Sequence, residues 1–254
     1  MGEVPESHPR FASLMARKKL TEAAADGLLA DSAMIAHGRG EAFDYLLQER
    51  TCDAAIRAIR ECAARLIKAE NPIISVNGNT VALAGPQLLA CAAVLGCPIE
   101  VNIYYRTPER MVALLSKLDQ QKKECVLNYP DLKDKIEAVR VLGEAPDARI
   151  PNLDGPRANC HHDGIFTSDV ILVPLEDGDR CQALVAMGKT VCVIDLNPLS
   201  RTAKTASITI VDELTRCVPI LFKELQNGDL SPTSDWDNEG NLREVTKEML
   251  RLLD

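Results

Sequence analysis

Between Ser13 and Ala69 apolar residues recur at helical spacing. Ile56, Ile59, Cys62, Ala63, Leu66 and Ile67 fall three and four apart on one face, while Arg57, Arg60 and Glu61 lie off it. The period then changes. Short apolar runs appear at 74–76 (ISV), 99–104 (IEVNIY), 170–175 (VILVPL), 190–195 (TVCVID) and 207–212 (SITIVD), each followed by a helical segment. Runs that short and continuously apolar suit strands covered on both faces, and strands alternating with helices predict a parallel, doubly wound α/β sheet. Residues 1–227 are therefore expected to form one α/β domain, with a helical layer over 1–70 and a sheet core over 71–227. The charged stretch 119–140 reads as an irregular or helical surface insertion. Beyond it, 228–254 begins as a polar linker (NGDLSPTSDWDNEG) and ends in an amphipathic stretch where Leu242, Val245, Met249 and Leu252 share a face. That predicts a terminal helix docked on the body or on a partner subunit.

The composition narrows the partners. With 254 residues, 46% of them hydrophobic and 26% charged, the chain can bury a sizeable core. A formal net charge of -8 without a long Lys/Arg run argues against duplex nucleic acid, which needs a basic face, but leaves anionic small molecules open. The nine cysteines form no CxxC pair, and several sit inside apolar runs, so they are expected to be core thiols in a reducing compartment. The N-terminus has no apolar signal region, and no run of about 18 uncharged apolar residues is recognised. A cytoplasmic protein without membrane contact is the expectation.

In open parallel sheets ligands bind beyond the carboxyl ends of the strands. The residues found there are Asn77-Gly78-Asn79; Tyr105, Arg106 and Thr107; Glu176, Asp177, Gly178, Asp179 and Arg180; Asp195, Leu196 and Asn197, then Ser200, Arg201 and Thr202; and Asp212. Nearly every strand empties into polar, turn-forming residues. For each alone, an ordinary turn remains an equal alternative. His37-Gly38-Arg39-Gly40-Glu41 reads as a loop in which two glycines let a ligand approach and Arg39 grips phosphate or carboxylate. His37 beside it is expected to be a structural hydrogen-bond partner more readily than a catalytic acid or base. Asp177 and Asp179 could hold Mg²⁺ or form a charged turn. His161-His162 reads as a surface loop, and Lys189, which precedes its strand, as a solvated turn residue at the far end of the sheet. Neither GxGxxG nor GxxxxGK[ST] occurs, so neither the usual dinucleotide fingerprint nor a Walker A loop is present.

Several longer motifs occur in order: ESHPR at 6–10, IAHGRGEAFDYLLQERT at 35–51, ISVNGNTVAL at 74–83, NIYYRTPER at 102–110, DARIPNL at 147–153, VPLEDGDR at 173–180, ALVAMGK at 183–189 and IDLNPLSRTA at 194–203. Together, over roughly 5–215, they resemble the archaeal phosphopantothenate synthetase family, the 4-phosphopantoate:β-alanine ligases. The resemblance implies a Rossmann-like core, a homodimer, and an ATP- and Mg²⁺-dependent joining of 4-phosphopantoate to β-alanine that yields 4'-phosphopantothenate, AMP and diphosphate in coenzyme A biosynthesis. It also implies nucleotide contacts at Arg17, Arg39, Asp195, Leu196, Asn197, Arg201, Thr202, Glu213 and Leu214. Glu213 departs from the asparagine usual in the family, the 119–140 segment is longer than expected, and the last 25 residues are expected to match poorly. For the substrate, Arg106 and Arg149 are candidates for the 4-phosphate and Asn77 and Asn79 for the reacting carboxylate. No residue stands out as the base that deprotonates β-alanine. The rival from another class is a non-catalytic nucleotide-binding sensor built from the same loops.

Overall fold

The computed structural model describes residues 4–251. Three helices come first: α1 (Phe11–Ala25), α2 (Asp31–Leu46) and α3 (Asp53–Lys68). The alternating half follows as β1 (Pro72–Val76), α4 (Gly78–Leu95), β2 (Ile99–Val101), α5 (Pro108–Asn128), α6 (Lys133–Ala138) and β3 (Val141–Leu142). A small antiparallel pair, β4 (Ala148–Arg149) with β5 (Asn159–Cys160), interrupts the alternation. Then come β6 (Val170–Pro174), α7 (Gly178–Ala186), β7 (Thr190–Ile194), α8 (Arg201–Thr205), β8 (Ile208–Ile210), α9 (Leu214–Asn227) and α10 (Asn238–Leu250).

The main sheet has the order β3-β2-β1-β6-β7-β8, and every pairing in it is parallel. The chain winds outward from β1 in one direction and from β6 in the other. The β1/β6 seam is therefore the topological switch point, where a crevice opens at the carboxyl ends. Alternate strand residues separate the two cores: Ile74, Leu172, Cys192, Ile194 and Ile208 pack under α3, α4, α5 and α9 on one face. Ile73, Ile171, Val173, Val191 and Val193 pack with Cys181 and Leu184 of α7 on the other. Both faces are covered, so the strands read as continuous apolar runs rather than alternating ones.

Several expectations change. The run 99–104 is a strand only to Val101. At Asn102 the side-chain amide turns away to donate to the carbonyls of Arg157 and Asn159, fastening the β4–β5 loop to the end of β2. HGRGE is no loop: it lies inside α2, whose two glycines are weak helix formers and whose C-terminal part is tied to the body by Asp44 accepting from Arg216. The 119–140 segment continues α5 and folds back through Pro130–Leu132 into α6, burying Gln121, Cys125 and Ile136. An uncharged 18-residue helix does exist in α4, long and apolar enough to cross a membrane by length and composition, but 67% of it is buried inside the protein. It breaks at Ala84, before Pro86, and Gln121 of α5 donates to the Val81 carbonyl that the break exposes.

At the far end of the sheet Lys189 is buried, not solvated, with Nζ donating to the carbonyls of Phe166 and Ser168. Helix α10 docks on the body, with Leu242, Val245 and Met249 packed against Leu47, Cys52, Ala54 and Val211; Leu252 lies outside the described residues. All nine cysteines are free and buried, and burial pushes thiols such as Cys97 and Cys160 up to about 12.

Candidate active-site cleft at the switch point

A cleft of about 700 Å³ opens beyond the carboxyl ends of β1, β6 and β7 and is roofed by α2. Its floor is built at the β1/β6 seam. Asn77 ends β1 and caps α4, its Oδ1 accepting from Thr80 N at 3.1 Å, while its Nδ2 donates to the carbonyl of Leu175 at 3.0 Å. Leu175 follows β6 with φ of 56°, a left-handed conformation that costs a branched residue on the order of 1 kcal/mol, and Asn77 pins it. Asn79 also lines the cleft and donates to Ala33 O of α2.

The loop after β7 folds on itself. Asp195 accepts from Asn197 N at 2.9 Å and from the Ser200 hydroxyl, while Asn197 Oδ1 accepts from Leu199 N at 2.9 Å, leaving its amide NH₂ without a partner among the described residues. Ser200 then caps α8, accepting from Ala203 N. Burial raises the Asp195 pKa, against the lowering effect of those hydrogen bonds. Thr202, also in the cleft wall, donates to Glu176 O at 3.0 Å. Helix α2 rests on this loop at Gly40, where a Cβ would meet Leu196 Cδ1 at 3.4 Å, an ordinary contact distance. Arg39, the residue before it, is exposed and lines the same cleft.

Beneath the cleft lies a charged layer. Arg180 is fully buried, pairs with Glu176 and reaches the Ser75 hydroxyl at 3.2 Å. Glu176 also pairs with Arg157 at 2.9 Å, and Arg157 with Asp177. Next to it, Glu100 accepts from His161 N at 3.0 Å and Ile165 N at 2.9 Å; burial nevertheless raises its pKa to about 7.

Of the residues singled out in the sequence, Arg39, Asn77, Asn79, Asp195, Leu196, Asn197 and Thr202 meet in this cleft. Others stand apart. Arg17 is paired with Glu41 at 2.8 Å. Glu41 and Glu213 line a smaller neighbouring cavity of about 150 Å³, and His37 borders both cavities. Burial lowers the His37 pKa despite Glu41 at 3.7 Å, keeping the ring neutral near pH 7. The Glu213 carboxylate caps α9 on Thr215 N, and its own N–H donates to Asp212, whereas Leu214 is buried in the core. Arg201 pairs with Asp179 on the surface, and Asp177 is held by Arg157 while capping α7 on Arg180 N. Both aspartates are thus committed to arginines, and no cluster of three potential metal ligands occurs among the described residues. Arg106 donates to Gly143 O, and Arg149 stays on its hairpin, bonding Asn159 and Leu153.

The cleft also contains Tyr105, which the sequence places at a strand end, and three residues that sequence reasoning passes over, Tyr104, Arg110 and Arg157. Tyr104 and Tyr105 stand exposed at the rim with ring centroids 5.0 Å apart. Arg110 enters from the first turn of α5, and Arg157 from the hairpin loop held by Asn102. The NIYYRTPER motif carried a signal for the first three; nothing local marks Arg157, which arrives through tertiary contacts.

The chain matches the phosphopantothenate/pantothenate synthetase family model over residues 54–251. It belongs to that family. The match reaches into α10, so the final residues fit better than expected from the motifs. The chain is 42% identical to a 4-phosphopantoate–β-alanine ligase of Thermococcus onnurineus over 252 residues, 96% of this chain and 91% of the relative. It is similarly 45% identical to that of Thermococcus kodakarensis over 219 residues, 86% and 78% of the two chains. With the Methanosarcina mazei ligase it shares 42% identity over 256 residues, 98% of this chain and 95% of the relative. The synthetase-family chain therefore carries its cleft on a scaffold shared almost end to end with these ligases.

Proposed function

We propose that the protein joins 4-phosphopantoate to β-alanine with ATP, releasing 4'-phosphopantothenate, AMP and diphosphate, through an acyl adenylate. The observation that carries this is end-to-end similarity to ligases named for those two substrates, on a chain whose switch-point cleft is large enough for a nucleotide and a small acid and carries arginines. In the first step a carboxylate oxygen of phosphopantoate attacks the α-phosphorus of ATP, and the bond to diphosphate breaks. In the second the neutral amine of β-alanine attacks the acyl carbon. The bond to AMP then breaks, the carboxylate oxygen leaves with AMP, and the amine proton passes to solvent.

The protein contributes mostly by positioning and charge stabilisation. Arg39 would receive the triphosphate, the 195–197 loop the nucleoside, and Asn77 would hold the Leu175 turn that shapes the acid site. Mg²⁺ suits this reading as an ion carried largely by ATP phosphates and water, because Asp177 and Asp179 are occupied by arginines. It would neutralise phosphate charge.

Incubation with ATP, Mg²⁺, phosphopantoate and β-alanine tests the activity. The expected result is AMP and diphosphate in step with the amide product, and sustained only when both acids are supplied. Release of ADP would require an acyl-phosphate route, and nucleotide binding without turnover would return the protein to a sensor role.

A homodimer is part of the same proposal. Helix α2 exposes Ile35 (67%) and Leu46 (43%), eleven positions apart and therefore on one helical edge, with exposed Gly38 and Ala42 between them. A two-fold contact would cover that edge. Sedimentation at micromolar concentration should give twice the mass of the chain; a monomer would contradict the dimer. The buried free thiols support a reducing, cytoplasmic setting.

A further inference from the structure

Three arginines line the cleft: Arg39, Arg110 and Arg157. They differ in how their charge is balanced. Arg157 is neutralised by Glu176 and Asp177. Arg39 and Arg110 have no carboxylate within 4 Å among the described residues. Arg39 is exposed on α2, where water solvates it. Arg110 is different. It is partly buried, and its Nη atoms donate to two backbone carbonyls, Tyr105 O at 2.6 Å and Leu28 O at 3.1 Å. Its Nε is buried without a hydrogen-bond partner. Those carbonyls orient the guanidinium plane but supply no counter-charge, and burial lowers its pKa with no anion opposing that effect.

A desolvated cation without a carboxylate is costly, and cleft positions are where proteins retain such groups for a ligand. The two uncompensated arginines also sit on different walls. Arg39 belongs to the helix that rests on Leu196 of the 195–197 loop. Arg110 is fastened to Leu28, whose carbonyl closes on the start of α4: a Cβ on Gly78 would come within 2.4 Å of it. Asn79, one residue on, lines the same wall.

We propose that Arg110 is the residue that recognises the 4-phosphate of phosphopantoate and so selects the phosphorylated acid over free pantoate. This rests on the ligase reading above. The reaction brings two separate phosphate-bearing reactants into one cleft, a triphosphate and a phosphomonoester. The charge balance offers one uncompensated arginine for each. Arg106, the candidate that residue type and motif suggest, is turned toward Gly143 and Glu100 and does not line the cleft.

Calorimetric binding of phosphopantoate and of unphosphorylated pantoate to wild type, Arg110→Gln, Arg110→Lys and Arg39→Ala tests the assignment, with turnover measured alongside. In Arg110→Gln the preference for the phosphorylated acid should shrink on the order of 10- to 100-fold, with ATP affinity unchanged. Arg110→Lys, which keeps charge but not the planar fork, should lose part of the preference. Arg39→Ala should weaken ATP binding and leave the preference intact. A merely structural tie between Tyr105 and Leu28 would weaken both acids alike, so an unchanged preference in the Gln variant overturns the proposal. Should that variant fail to fold, an unchanged preference in the Lys variant overturns it equally. Wild type that binds phosphopantoate selectively but makes no AMP would refute the ligase reading and leave the Arg110 assignment standing. Wild type that binds neither acid selectively would refute the assignment.

Discussion

Replacing Arg180 by Met should destabilise the protein by about 3 kcal/mol or more, the range for removing one partner of a buried ion pair. The guanidinium is fully enclosed between Glu176 and Ser75, and the Glu176 side chain is itself inaccessible. Methionine fills similar volume but leaves the carboxylate with Arg157 as its one charged partner, beside the Asp177 N–H, and drops the bond to Ser75. Arg157 retains part of the compensation, which keeps the expected loss near the lower end of that range. The midpoint of urea unfolding checks the figure, or the soluble fraction where the variant does not accumulate. Adding Glu176→Gln to the same chain should recover part of the loss, because the orphaned charge is then gone. A single variant as stable as wild type would show that the pair contributes little net stability.

Glu100 should make stability pH-dependent in the direction opposite to most carboxylates. Its folded pKa is raised to about 7 from a reference value of 4.5, and the leading cause is burial, partly offset by the N–H groups of His161 and Ile165 and by the charges of Arg180 and Arg106. Below the unfolded value both states hold the proton and the contribution is complete. As pH rises from about 4.5 to 7 the unfolded chain releases its proton first, and on the order of 3 kcal/mol is lost. Glu100→Gln cannot ionise, and its amide NH₂ meets a backbone N–H, so it should be less stable at low pH. Its loss of stability between pH 5 and pH 7.5 should nevertheless be smaller than that of wild type. Equal slopes in urea titrations across that window would place the Glu100 pKa near its ordinary value.

Much of the architecture is written in local pattern. The five apolar runs predict five of the six strands of the parallel sheet, because strands sealed on both faces have no solvent side to encode. The sixth, Val141–Leu142, is too short to register, and the β4–β5 pair is a two-residue ladder held by Asn102 rather than by its own sequence. In α2 the HGRG run reads as a turn because it carries two close glycines, yet it is helical. What holds the helix there is tertiary: Asp44 near its end accepts from Arg216, which also binds Asp212 beyond β8.

The site follows the same division. Residues placed directly at strand ends, Asn77 and the Asp195–Asn197 loop, are legible because topology alone carries them to the crevice. Arginines are not, because their reach exceeds the precision of a strand boundary. Arg106 and Arg110 share one motif, four residues apart, and only the position of α5 decides that the second enters the cleft. Lys189 shows the converse: its place at the far end was readable, but not its burial, which depends on the carbonyls of the 166–168 turn.

Adenylation of the phosphopantoate carboxylate, the step proposed for this chain, is tested most directly by oxygen labelling. With 4-phosphopantoate carrying ¹⁸O in its carboxylate, the oxygen that attacks the α-phosphorus leaves with the nucleotide when β-alanine opens the acyl bond. Mass spectrometry of the products should find one ¹⁸O in the phosphate of AMP, one retained in the amide carbonyl, and none in diphosphate. Unlabelled AMP, or ¹⁸O in inorganic phosphate alongside ADP, would contradict it.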